Sequence, residues 1–292
     1  MSLLGAIEGG GTKFVCGIGT PDGQILERTS FPTTTPEETM GRAIAFFESK
    51  EIHAIGIGTF GPIDVNLKSE SYGCITNTPK PYWSGFNVVN YLKRHLDVPV
   101  GFDTDVNAAA LGEAVWGAAK GLNSCLYMTV GTGIGAGAFI EGQLVHGLTH
   151  PEMGHIIVRR HPDDTYEGGC PFHKDCLEGL ASGPAIENRW KMKAFDLGAA
   201  HFAWELEAYY LAQALLNFIL ILSPEKIIIG GGVMNQTQLF PLIQRQLDSL
   251  LNGYIQHPAL ARGNANYIVQ PSLGDNAGLT GALALADRAL QG

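Results

Sequence analysis

The chain has 292 residues, enough for one large domain or two of ordinary size with a substantial core. Its 45% hydrophobic and 16% charged residues describe a globular protein and exclude a disordered one. A net charge of −9 without a basic block leaves no positive face for nucleic acid, so an anionic ligand has to be held locally, by backbone N–H groups or a metal.

The start, Met1-Ser2-Leu3-Leu4-Gly5, has no basic segment ahead of an apolar core, so no signal peptide is expected. Residues 3–7 form a short apolar strand ending on Glu8-Gly9-Gly10-Gly11-Thr12-Lys13. A second strand over 14–19, the turn Pro21-Asp22-Gly23 and a third strand over 24–27 make a meander. Residues 36–50 read as a helix, with Pro36 in the first turn and Met40, Ile44 and Phe47 recurring on one face. A strand over 54–58 leads to Thr59-Phe60-Gly61-Pro62, and a helix covers 88–96. The strand 98–102 ends at Asp103-Thr104-Asp105-Val106-Asn107, and an Ala-rich helix follows over 108–119. The meander then returns as strand 126–130, Gly131-Thr132-Gly133, strand 134–140, the turn Glu141-Gly142 and strand 143–145. Gly23-Gln24-Ile25-Leu26 matches Gly142-Gln143-Leu144-Val145, which points to an internal duplication. Residues 201–222 form a long helix stopped by Ser223-Pro224. Ile227-Ile228-Ile229 is a buried strand ahead of Gly230-Gly231-Gly232, and helices cover 240–251 and 277–289. The apolar run within 212–222 is interrupted by Gln213 and Asn217 and is too short to span a bilayer, so no membrane role is expected. Alternating strands and helices predict an α/β fold, and two halves that each open on a meander predict two lobes with a cleft.

Three glycine runs follow strands, and such loops let backbone N–H groups approach phosphate oxygens. They are Gly9-Gly10-Gly11-Thr12-Lys13, Gly131-Thr132-Gly133 and Gly230-Gly231-Gly232. The first lacks the GxxxxGK[ST] frame, and the second is followed by strand and not helix, which argues against a dinucleotide fold. Each loop alone reads equally well as an ordinary hairpin; together they favour a nucleotide, with Thr12, Lys13 and Thr132 near a triphosphate. Asp105 stands between a strand and a helix, where it can accept a proton from an alcohol late in phosphoryl transfer. The alternative is that Asp103 or Asp105 only caps the helix.

Five cysteines imply no disulfide framework, and Cys16, Cys74 and Cys125 read as small buried residues, so the cytoplasm is the expected compartment. Cys170-Pro171-Phe172-His173-Lys174-Asp175-Cys176 spaces three soft or borderline ligands evenly, and His155 upstream supplies a fourth for tetrahedral Zn²⁺. The Gly-rich setting Glu167-Gly168-Gly169 reads as loop, against the alternative of two buried thiols and surface histidines. Glu152 and Glu178 flank this set and can present carboxylates to a polyhydroxylated substrate.

These motifs resemble the ROK family of sugar kinases, within the actin/hexokinase-like (duplicated ribonuclease H-like) fold, nearly end to end. Glu8 to Lys13 is similar to the family's D-x-G-G-T-K, and Asp105-Val106-Asn107-Ala108-Ala109 to its N-D-x-N-A-A. Gly131 to Gly135, Glu152-Met153-Gly154-His155, Cys176-Leu177-Glu178 and Ser182-Gly183 complete the match. The resemblance implies Asp105 as catalytic base and Glu152, His155, Glu178 and Asn107 around the sugar. It implies Gly10, Gly11, Thr12, Lys13, Gly131, Thr132, Gly133, Gly230, Gly231 and Gly232 on the ATP side, with Mg²⁺. His155 would be shared, one ring nitrogen on zinc and the other toward sugar. The expected lobes are 1–119 and 120–292, the second carrying the metal loop over about 152–178, with a C-terminal helix able to pack back on the first. Three departures stand out. Glu8 replaces the family's Asp, Thr104 replaces the Asn before the base, and Cys170-x-x-His173-x-x-Cys176 replaces the C-x-C-G-x-x-G-C loop. They resemble the bacterial fructokinase branch, with glucokinase or mannokinase as alternatives. A sugar-responsive repressor is disfavoured, since no helix-turn-helix precedes the first strand and the charge is −9. A zinc-stabilised binding module would lack the base. The resemblance also implies a homodimer, to which the helix 203–222 with Tyr209, Tyr210 and Phe218 would lend apolar surface.

Overall fold

Two five-stranded sheets carry the fold. The structure is a computed structural model that describes residues 2–292. In chain order the main elements are β1 (Leu3–Gly9), β2 (Lys13–Gly19), β3 (Ile25–Pro32), α1 (Pro36–Phe47), β4 (Ile52–Thr59), α2 (Val88–His95), β5 (Val100–Thr104) and α3 (Asp105–Val115). Then come β6 (Ser124–Val130), β7 (Ile134–Ile140), β8 (Gln143–Leu144), α4 (Leu177–Ala181), α5 (Gly183–Trp190) and α6 (Ala203–Leu222). Last are β9 (Ile227–Gly230), α7 (Leu239–Leu251), β10 (Ile268–Val269) and α8 (Ala277–Gln291).

The sheets have the orders β3-β2-β1-β4-β5 and β10-β9-β6-β7-β8. Read from the other edge, the second is β8-β7-β6-β9-β10, the same succession as the first, as an internal duplication requires. By contacts the chain divides into two compact units. One holds the residues up to Gly121 with Gly137–Pro151 and Ser272–Gly292; the other holds Leu122–Ala136 and Glu152–Pro271. The boundary read from sequence at 119/120 falls close to the end of the first of these segments, and 272–292 joins the first unit as a C-terminal helix able to pack back would, but 137–151 joins it too. The reason for 137–151 is local: Gly137 lies so close to the start of α3 that a Cβ on it would run into the Val106 carbonyl.

In the first unit, side-chain alternation gives the sheet two apolar faces. Ile7, Phe14, Ile55, Ile57 and Phe102 pack with Met40 and Phe47 of α1 and Val88 and Leu92 of α2. Leu4, Ala6, Val15 and Ala54 face Leu279, Ala282, Leu283 and Ala286 of α8. A fully buried aliphatic side chain stabilises by roughly 1.5–3 kcal/mol, so α8 is a structural member of this unit. Gly56 allows its close approach, since a Cβ there would meet the Ala282 backbone. The parallel registers Gly9–Thr59 and Thr59–Thr104 align the carboxyl ends of β1, β4 and β5. The Gly10–Lys13 loop and Asp105 therefore leave from one edge of the sheet, where α/β ligand sites form.

In the second unit, β9 runs parallel to β6 with Thr129 beside Gly230, so the loops after Val130 and after Gly230 also leave from one edge. The apolar stretch of α6 is longer than the sequence reading expects. It is a 20-residue helix that, by length and composition, could cross a membrane. Yet its Tyr210, Leu211, Ala212, Ala214 and Leu215 are fully buried within the chain, as in a core helix. Tyr210 and Phe218, expected to offer surface to a second copy, are 0% and 3% exposed, because they fill this core. Leu220 and Ile221 remain exposed at its end.

Candidate active site

In the first unit the chemistry gathers at the β5–α3 junction. Thr104 caps α3: its Oγ1 accepts the Asn107 N–H at 3.1 Å. The cap is therefore neither Asp103 nor Asp105. Asp105 is the first residue of the helix and its Oδ1 accepts the Val106 N–H at 2.9 Å. The helix N-terminus favours its ionised form. Glu8 stands near the end of β1, and α8 presses on it: a Cβ at Gly278 would come within 2.7 Å of its Cδ. Burial, and then the negative charge of Asp105, push the Glu8 carboxyl up to about 7, against the pull of Lys13 and Arg28. The Gly10–Lys13 loop is a tight turn closed by the Gly10 N–H on the Lys13 carbonyl at 3.0 Å, with Gly11, Thr12 and Lys13 exposed.

Asn107, expected at the sugar, is 1% exposed, and its Nδ2 donates to Asp103 Oδ1 at 2.8 Å. Asp103 also accepts the Thr104 N–H at 2.8 Å and lies 2.8 Å from His146 Nε2. Hydrogen bonding to Asp103 raises the His146 pKa above its ordinary value. His150 accepts the Ile63 N–H on Nε2 at 2.9 Å, and burial lowers its pKa. Sequence reasoning singled out neither histidine. The available signal was their place, His146-Gly147-Leu148-Thr149-His150, directly ahead of Pro151 and Glu152.

In the second unit Glu178 lies in the first turn of α4, and its Oε2 accepts the Ile134 N–H at 3.0 Å. Its Oε1 is 4.0 Å from His155 Nε2. Glu152 precedes the 3-10 turn Met153–His155, and burial followed by the charge of Glu178 raises its pKa. The other nitrogen of His155, Nδ1, faces sulfur: it is 3.5 Å from Cys176 Sγ and 3.7 Å from Cys170 Sγ. His173 Nδ1 is 3.6 Å from Cys170 Sγ, and the four ligand atoms all lie within 4.8 Å of one another. A tetrahedral Zn²⁺ with bonds of about 2.0–2.3 Å sets neighbouring ligand atoms about 3.3–3.8 Å apart, a spacing that the nitrogen–sulfur separations of 3.5, 3.6 and 3.7 Å match. Both thiols are buried, and without a cation burial pushes the Cys176 thiol up to about 11. The loop that carries the set is anchored from outside. Arg189 Nε and Nη2 each reach an Asp164 carboxylate oxygen at 3.0 Å, Tyr210 donates to Asp164 Oδ2 at 2.5 Å, and Arg160 donates to the Tyr166 carbonyl.

The remaining glycine loops are tight turns after β6 and β9. The Gly131 N–H closes on the Gly133 carbonyl at 2.9 Å and leaves Thr132 exposed. Gly231 has φ +94°, and a Cβ there would strike the Val130 backbone, so only glycine fits.

A Bacillus subtilis (strain 168) protein is 56% identical over 99% of this chain and 97% of its own length. Fructokinases of Pediococcus pentosaceus and Zymomonas mobilis are 46% and 45% identical, covering 99% and 97% of this chain and 99% and 96% of theirs. Among solved structures, the ROK hexokinase of Thermus thermophilus superposes with a TM-score of 0.81 at 26% identity, covering 99% of both chains. A ROK glucokinase of Streptomyces griseus, in complex with glucose and AMPPNP, gives 0.78 at 25% identity over 98% of this chain and 100% of its own. The ROK family model matches residues 4–289, and the chain belongs to the ROK family.

Proposed function

We propose that this protein is an ATP-dependent fructokinase that transfers the γ-phosphoryl group of ATP to the 6-hydroxyl of free D-fructose. The observation that carries the reading is full-length identity of 42–56% to relatives that include the fructokinases of four bacteria. The glucokinases among the relatives stand lower, at 29% and 26%.

Asp105 takes the proton of the attacking hydroxyl. The transition state is loose, so the proton leaves late and a weak base at a helix N-terminus suffices. Asn107 supports this turn from beneath through Asp103. Glu152 and Glu178 accept hydrogen bonds from sugar hydroxyls, and His155 Nε2 faces the same group. His155, Cys170, His173 and Cys176 would hold Zn²⁺, which would hold the His155 imidazole in place, with its Nε2 left to the sugar. The Gly10–Lys13, Gly131–Gly133 and Gly230–Gly232 loops offer N–H groups and the Thr12 and Thr132 hydroxyls to the phosphates of ATP, which arrives with Mg²⁺. The protein works as a cytoplasmic homodimer on small molecules, without nucleic acid or membrane. Its acidic charge and cysteine usage support that setting.

The test is Asp105→Asn. A positioned base contributes about 10²–10⁴-fold, so kcat is expected to fall by at least about a hundredfold while fructose still binds. Retention of more than about a tenth of kcat contradicts Asp105 as the base.

A further inference from the structure

We infer that His146, held by Asp103, reads a hydroxyl of the hexose and so contributes to sugar selection. The inference deepens the proposed function and rests on it. His146 is the outward member of a polar cluster built on the turn that carries Asp105. Asp103 is 2% exposed and gathers three donors: the Thr104 N–H, Asn107 Nδ2 and His146 Nε2, each at 2.8 Å. Asn107 Nδ2 also lies 3.3 Å from His146 Nε2. The carboxylate fixes the tautomer: the proton sits on Nε2, facing Asp103. Nδ1 is then the working face of the ring. No described residue hydrogen-bonds it, and 36% of the side chain is exposed.

A histidine that served only to satisfy a buried carboxylate would be buried with it. Asp103 already holds two donors from its own turn, so the third adds an exposed, oriented imidazole. The arrangement is that of a carboxylate orienting a histidine for work on its far nitrogen. Thr104 does not compete for this role, because its hydroxyl caps α3. Asp103, which holds His146, stands on the same β5–α3 turn as Asp105, the proposed base. A neutral Nδ1 accepts from a hydroxyl and a protonated one donates to it, so a sugar hydroxyl suits either state.

The experiment is steady-state kinetics of full-length His146→Gln, with His146→Asn as a second variant should the first not fold. Sugars are fructose and its analogues deoxygenated at single positions other than C6, which carries the acceptor hydroxyl. For fructose, kcat/KM is expected to fall about tenfold or more, while KM for ATP stays within about twofold. For one deoxy analogue, wild type and variant are expected to converge, which names the hydroxyl read. Equal losses on every analogue, or a loss that falls alike on ATP and sugar, overturn the inference and leave His146 a support of the turn. Wild type is assayed first on several hexoses. Preference for another hexose defeats the fructose reading alone, and the same cycle is then run on that sugar's deoxy analogues.

Discussion

At the end of β5, Thr104 supplies the helix cap, so Asp105 is the first residue of α3 and not its cap. The neighbouring Glu8 is a second acid whose state depends on this geometry. Its folded pKa, about 7, lies above the ordinary 4.5, so the folded protein holds this proton more tightly than the unfolded chain. The sign follows: Glu8 costs stability progressively as pH rises from about 4.5 through 7, and costs nothing below that window. Glu8→Gln should therefore gain stability over wild type at about pH 8, by at most about 3 kcal/mol, and gain almost nothing at about pH 4. Urea midpoints of both proteins at the two pH values test this; an equal difference at both means that Glu8 does not titrate near neutrality. Asp105, Glu152, His155 and Glu178 could be singled out from sequence because each sits in a short local motif. His146 was not, because its partner Asp103 is 43 positions away and only folding brings the two together. Nor was the commitment of Asn107 to Asp103, since sequence shows its place in the first turn of α3 but not that it points inward.

Among the elements, strands that alternate or run apolar between glycine turns were legible, and β7 has the expected bounds of 134–140. The start of α3 was harder. Val106 and Asn107 carry no apolar periodicity, and the Thr104 cap extends the helix back to Asp105 from the expected 108. The helices α4 and α5 were not read at all. They have 5 and 8 residues, too few for a pattern to show, and they are held by tertiary contacts such as Arg189 to Asp164. The loop that carries the four candidate ligands has almost no regular structure. Metal binding and local folding are coupled in such loops. The protein purified without added metal should contain stoichiometric zinc, lost on chelation and in Cys176→Ser. Elemental analysis decides it, and folded, active protein without zinc contradicts the site.

For the whole molecule, the α/β class and the duplication were legible in the repeated meander, and the two sheets repeat one strand order. The division into units was only partly legible: a C-terminal helix able to pack on the first lobe was expected, whereas 137–151 joins the first unit through packing that leaves no mark on composition. The surface for a second copy was misjudged in its details: Tyr210 and Phe218 are core. The proposal of a homodimer rests on the family resemblance and on exposed residues such as Ile157, Phe172 and Ile221. Light scattering at micromolar concentration is expected to give about twice the 31.2 kDa of one chain, and particles of one chain alone contradict it. Substrate choice is a property of the whole molecule too, and the account stands on it. A site that accepts particular hydroxyls rejects sugars that misplace them, because its own polar groups are left unpaired. The most direct measurement is kcat/KM for fructose, mannose, glucose and N-acetylated hexosamines with ATP in a coupled ADP-release assay. Fructose is predicted to lead by at least about tenfold, a difference of about 1.4 kcal/mol in transition-state binding; glucose or an N-acetylated hexosamine outperforming fructose would contradict the account.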